Sequence, residues 1–136
     1  MYVLIPRWTM CVGSYDHTAC VFDCRCASYG SVYKLYADPE CLDWDPFSPY
    51  SLYIAQEDGT MISYDIRNVE SPLCKQKLHT HDCSSLQCNR SYKGLVATCG
   101  DNLIRLWDVR TPQQWKMVAE KKTEIGIFRV LCCLIL

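Results

Sequence analysis

The chain has 136 residues, a length suited to one domain, and 49% of them are apolar, enough to build a core. Fourteen basic residues stand against fifteen acidic ones, for a formal net charge of −1, and no run of Lys or Arg stands out. That balance argues against charge-driven binding to nucleic acid, which needs clustered cations to neutralise a row of phosphates.

The amino terminus, MYVLIPRWTM, lacks the basic flank, apolar stretch and small-residue cleavage site of a signal peptide. A reducing compartment is therefore expected, in which the eleven cysteines stay free thiols. Zinc is the alternative. Cys24 with Cys26, Cys132 with Cys133, and the group His79, His81, Cys83 and Cys88 bring ligand types together, but none has paired C-x-x-C spacing. Cys20, Cys83, Cys88 and Cys99 fall inside apolar strand patterns, which favours core packing.

Short β-like runs separated by turn residues then fill the chain. The first unit should hold strands at 9–13, 18–23 and 33–36, with its innermost strand missing. The middle unit should hold strands at 41–45, 52–55, 60–65 and 74–78, with PFSPYS as a turn between the first two. The last complete unit should hold strands at 84–89, 95–99, 103–108 and 115–119. No stretch carries a long amphipathic helical period. The final segment, residues 125–136 (IGIFRVLCCLIL), is too short to span a bilayer and reads as the start of a further unit.

These units repeat. DHTACVFDCR (16–25), DGTMISYDIR (58–67) and DNLIRLWDVR (101–110) share an Asp, an aromatic six residues on, a second Asp next to it, and an Arg two further. The first aspartates are Asp16, Asp58 and Asp101, the aromatics Phe22, Tyr64 and Trp107, and the second aspartates Asp23, Asp65 and Asp108. Arg25, Arg67 and Arg110 follow. The steps of 42 and 43 residues belong to four-stranded propeller blades. Each leading Asp sits in a hairpin turn, where its short side chain can bond the turn's own backbone. The strand after each turn is apolar on both faces, as a strand covered on both sides requires. The expected fold is all-β: about three four-stranded antiparallel blades, spanning roughly 9–36, 40–78 and 83–119, in a ring that three units cannot close.

NLIRLWD resembles the third-strand signature of the WD-repeat β-propellers, and His79, 28 residues before Trp107, matches the histidine that leads into their blades. The resemblance implies a hydrogen-bonded tetrad of His79, Thr98, Asp101 and Trp107, with only Asp58 and Tyr64, or Asp16 and Phe22, kept in the other units. GSYDHTACVFDCR, WDPFSPYSLYIAQEDG and LHTHDCSSLQC are further similar to the periodic tryptophan protein 1 family of WD-repeat proteins. That similarity implies part of a larger non-enzymatic scaffold of the nucleus and nucleolus, acting in ribosome biogenesis and ribosomal RNA processing. Its partners would be proteins, such as components of pre-ribosomal particles, with RNA contacted only indirectly and no membrane, cofactor or small-molecule substrate. The alternative is a WD-repeat adaptor of a chromatin or ubiquitin-ligase complex.

Enzyme motifs are missing: there is no G-x-S-x-G elbow, P-loop or G-x-G-x-x-G. Asp43-Trp44-Asp45 reads as a solvated strand end rather than a metal pair. Arg25, Arg67 and Arg110 read as solvated hairpin ends, with a partner-binding rim as the alternative. Tyr29, Tyr33, Tyr36, Tyr50 and Tyr53 are expected to add aromatic surface around the first two units.

Overall fold

The computed structural model describes residues 8–26 and 30–124. The expected further unit at 125–136 and Tyr29 lie outside the described residues. Among the described residues eleven strands form three antiparallel sheets. The first contains β1 (Thr9–Ser14), β2 (Thr18–Asp23) and β3 (Ser31–Lys34) in sequence order. The middle sheet contains β4 (Pro39–Trp44), β5 (Ser51–Gln56), β6 (Thr60–Asp65) and β7 (Cys74–Lys77). The last contains β8 (Ser85–Cys88), β9 (Leu95–Gly100), β10 (Leu103–Asp108) and β11 (Lys116–Lys122). Each sheet is a simple up-and-down meander, and the three form an open row of propeller blades.

Turn chemistry sets the registers. Asp101 and Asn102 have φ of 54° and 59°, and Gly100 pairs with Leu103, so a two-residue turn with both central residues left-handed joins β9 to β10. The β1–β2 and β5–β6 loops hold one residue more, and each ends on a left-handed residue, His17 (φ 62°) or Gly59 (φ 83°). Gly59 is also required sterically, because a Cβ there would lie 2.2 Å from the His79 carbonyl oxygen.

Several strand ends shift from the sequence expectation, most of all in β3 and β11. β3 starts at Ser31 instead of residue 33, because its register against β2 pairs Val21 with Ser31 and Thr18 with Lys34. β11 runs to Lys122 rather than stopping at residue 119, pairing with β10 as far as Leu103 across a bulge at Leu106 and Trp107. Its run of charges reads as a loop, yet lysines suit an exposed outermost strand, where they discourage pairing with another chain.

Alternation along the strands builds two cores. On the middle sheet Tyr53, Ala55 and Met61 face the last blade and join Leu86, Val96, Trp107 and Trp115. Leu52, Ile54, Ile62 and Tyr64 face the first blade and join Ala19, Val21, Tyr33 and Leu35. β5 and β6 are consequently buried almost end to end on both faces. The repeat explains the assignment: the aromatic slot (Phe22, Tyr64, Trp107) looks back to the preceding blade, and the slot of Ala19, Met61 and Ile104 looks forward.

Among the described residues the outer faces of the row have no such cover. Met10, Val12 and Val32 are 47%, 46% and 56% exposed beside half-buried Cys20 and Phe22. Leu95, Ile104 and Leu106 are half-buried on the opposite end. Cys20, expected inside the core, sits half-buried on the open face of the first blade, whereas Cys83, Cys88 and Cys99 are buried. Sedimentation velocity on the 136-residue chain is expected to show concentration-dependent self-association through these faces, and Val12→Lys with Ile104→Lys should reduce it. A monomer at every concentration would contradict this account of the open faces.

Candidate functional site

The residues expected to form the tetrad meet in the last blade. Trp107, 6% exposed on β10, donates its indole N–H to Thr98 Oγ1 on β9 at 2.9 Å. His79 Nε2 lies 2.8 Å from the same hydroxyl. A hydroxyl carries one proton, so the network assigns Thr98 as acceptor from Trp107 and donor to His79, which leaves the proton on His79 Nδ1. That atom faces Asp101 Oδ2 at 3.8 Å, a favourable electrostatic distance but too long for a hydrogen bond. Asp101 instead accepts the backbone N–H groups of Thr80 and of His81, the latter at 2.8 Å, and so pins the loop that delivers His79. Gly59 O accepts from Leu78 N and His79 N at 2.8 and 3.0 Å, anchoring that loop to the middle blade.

Burial holds the His79 pKa below its ordinary 6.5, helped by nearby Arg105 and opposed by Asp101 and Asp82. The ring is therefore neutral, as a joint needs and not as an acid catalyst needs. In the middle blade the Thr98 position is occupied by Ile54, which packs with Leu35, Ile62 and Tyr64. The Tyr64 hydroxyl donates to Lys34 O at 2.7 Å, and Asp58 accepts Thr60 N at 3.0 Å within its own turn. In the first blade Asp16 accepts from Thr18 Oγ1 at 2.5 Å, and Phe22 lies on the open face without a polar partner group of its own. One blade thus uses a polar network where its neighbour uses packing.

The second aspartate and the arginine of each repeat form one recurring device. Arg25, Arg67 and Arg110 each donate their backbone N–H to the aspartate two residues back at 2.9–3.0 Å. Each guanidinium then closes on that carboxylate, with Nη2 to Oδ2 at 2.6 Å. A carboxylate can accept both the turn's amide and the arginine fork, which accounts for the D-x-R spacing. The arginine partner and its amide hold Asp23 and Asp108 at a pKa of about 2. These arginines stay exposed at the hairpin ends, as expected, and each is also ion-paired within its own turn.

Contacts between blades come from residues about one repeat apart, which local patterning does not reveal. The Gln76 side chain pairs with both backbone groups of Trp115, donating to its O at 3.0 Å and accepting from its N at 2.9 Å. Asp43 is the other tie: it accepts Cys88 N at 2.8 Å and Arg90 Nη2 at 3.1 Å from the last blade. The expectation of a solvated strand end at Asp43-Trp44-Asp45 is therefore corrected for Asp43, because β4 and β8 run side by side. Tyr33 and Tyr53, expected on the surface, are 0% and 6% exposed. Tyr33 packs on Tyr64 at 5.0 Å and donates to Ile66 O, and Tyr53 meets Trp115 edge-on at 6.2 Å. Tyr36 and Tyr50 do lie on the surface.

Among the described residues no group of three or more His, Cys, Asp or Glu is placed to hold a metal, and the nine described cysteines form no disulfide. Burial pushes the Cys11 and Cys83 thiols up to about 12, so neither is a ready thiolate. No helix among the described residues is long and apolar enough to cross a membrane. A groove of about 390 Å³ lies between the middle and last blades, at the end that carries the D-x-R forks.

Residues 71–108 match the family model described as WD domain, G-beta repeat. The matched stretch runs from the approach to β7 through β10, so the sequence repeat bridges two adjacent blades. An uncharacterized WD repeat-containing protein of Schizosaccharomyces pombe is 30% identical over 104 residues, covering 76% of this chain and 20% of that protein. The chain thus spans about a fifth of the length of this relative. A chain in a crystal structure of a mitotic checkpoint complex superposes with a TM-score of 0.79 at 18% identity, covering 90% of this chain and 38% of that one. This likeness establishes the fold.

Two outcomes follow from the His79 network. Thr98→Val keeps the side-chain shape but leaves the Trp107 and His79 nitrogens buried without a partner, at about 1–3 kcal/mol for each group, measured as a lower urea midpoint. An unchanged midpoint would mean that the network adds nothing to stability. For pH, the unfolded chain binds a proton at His79 that the folded chain refuses, so stability declines as pH falls below about 6.5. A His79→Gln variant should lose this part of the pH dependence, read from melting temperatures across the range.

Proposed function

We propose that this WD-repeat chain is part of a protein-interaction scaffold, and that His79, Thr98, Asp101 and Trp107 are the fastening of one blade rather than a reactive site. The observation that carries this reading is where the recurring polar groups go. Asp16, Asp58 and Asp101 are used inside or beside their turns, and Asp23, Asp65 and Asp108 inside the arginine forks. One such set per blade serves folding, and it leaves the blade ends and the grooves between blades as surface for partners. The division into units at 9–36, 40–78 and 83–119 belongs to the same proposal, and fits the match of a WD repeat to residues 71–108.

The finer reading places the whole protein in ribosome biogenesis and ribosomal RNA processing in the nucleolus, with pre-ribosomal proteins as partners. Its support is the similarity of residues 13–25, 44–59 and 78–88 to the periodic tryptophan protein 1 family. The chain supplies a few blades of such a scaffold, and fold alone does not distinguish this role from that of an adaptor in chromatin or ubiquitin-ligase complexes.

Tagged full-length protein is expected to co-sediment with large-subunit precursors, and its depletion to cause unprocessed ribosomal RNA to accumulate. Tagged protein spread through the cytoplasm, with processing unchanged on depletion, would overturn the ribosomal reading. Recovery of a chromatin or ubiquitin-ligase assembly in its place would establish the adaptor role.

A further inference from the structure

Adjacent blades treat the same arginine differently. In the middle blade the Arg67 guanidinium carbon sits 4.3 Å from the centroid of the Tyr50 ring, while the Asp65 fork holds the arginine from its edge. Tyr50 belongs to the β4–β5 turn, where its carbonyl accepts Ile66 N at 2.8 Å. In the last blade the carbonyl that accepts the corresponding Val109 N, at 2.9 Å, belongs to Gly94. Gly94 has no ring to offer.

Gly94 adopts φ +76°, and the Arg110 stem occupies the space that a side chain would take, with its Cγ 2.3 Å from an ideal Cβ. The Asp108 fork grips Arg110 as Asp65 grips Arg67. The Arg110 side chain remains 71% exposed. It is thus a pre-positioned guanidinium without the aromatic cover that its counterpart has.

Arg110 borders the groove of about 390 Å³ between the middle and last blades. Tyr53, Leu73 and Trp115 line its apolar part, and Gln76 clamps the Trp115 backbone in place. Lys93 stands at the same groove and makes no ion pair among the described residues. Asp45, the carboxylate of the lining, is already bonded to Phe47 N at 2.8 Å. Rigid aromatic residues beside a fixed arginine, with a free cation at the margin, suit a peptide side chain of complementary type.

We propose that this groove binds an extended peptide segment of a partner protein, which lays an aromatic side chain on Arg110 and presents a neighbouring carboxylate to Lys93. The segment supplies to the last blade what Tyr50 supplies to the middle one. This inference rests on the scaffold reading and names the chemistry of one partner segment.

The test uses acetyl-Glu-Tyr-Glu-amide as the probe, titrated into the ¹⁵N-labelled 136-residue chain and followed by amide chemical shifts. Saturable shifts are expected at Lys93, Gly94 and the Trp115 indole. Replacing the ring, in acetyl-Glu-Ala-Glu-amide, should weaken binding about fivefold, and Arg110→Ala should lower the affinity for the tyrosine peptide by a similar factor. Lys93→Glu should reverse the preference toward acetyl-Lys-Tyr-Lys-amide. Both variants alter exposed side chains; if Arg110→Ala disturbs the fold, the Lys93→Glu reversal decides alone. Shifts mapping elsewhere, equal binding of the tyrosine and alanine peptides, or no reversal would overturn the proposal. Capture by full-length protein separates the two readings. Partners retained by wild type and by both variants alike would refute the groove but keep the scaffold, whereas no partner retained by any form would refute the scaffold itself.

Discussion

Each sheet in this molecule carries apolar side chains on both faces, and that constraint organises everything else. A strand alternates its side chains between faces, so a sheet with one dry face can stop at a single neighbour, whereas one with two needs a neighbour on each side. β5 and β6 meet the demand: Ile54 and Ile62 are fully buried toward the first blade, and Ala55 and Met61 toward the last. At roughly 25 cal/mol per Å² of apolar surface, this burial is the main force holding the blades in a row. The same force leaves Val12 and Val32 at one end of the row, and Ile104 and Leu106 at the other, with their apolar surface incompletely covered.

Polar groups then determine how the blades are aligned. Burying a polar atom without a partner is costly, so the polar positions of the repeat are spent on closing turns and joining neighbours. Asp101 holds the loop that delivers His79, Thr98 links His79 to Trp107, and Asp43 and Gln76 tie the middle blade to the last. The substitution of Ile54, Leu35 and Tyr64 for the polar set in the middle blade indicates that the joint can be made by hydrogen bonding or by packing. Polar residues outside these joints stay exposed along β7 and β11.

The repeated frame made much of the fold legible. The D-x₅-aromatic-D-x-R spacing located each hairpin, and the order of the strands followed from turn residues and alternation. Strand ends were less legible, since Ser31 and Lys122 are assigned by the partner strand opposite them. For the candidate site, the repeated frame identified Asp101 and Trp107, and the resemblance to WD-repeat blades implied His79 and Thr98. Asp43, Gln76 and the burial of Tyr33 and Tyr53 left no local signal, because their partners lie more than 30 residues away on a neighbouring sheet.

Sequence by itself determined the repeat, the all-β class, the turns that require Gly59 or the Asp101-Asn102 pair, and the slots that recur once per blade. These are local consequences of alternation and of backbone conformation, and a short window contains all the information they need. Tertiary structure alone decided which face of each sheet looks forward or back, which tyrosines are buried, and which arginine lacks a ring above it. Those outcomes depend on which strand of the next blade comes to lie alongside, and that is a property of packing that no single repeat contains.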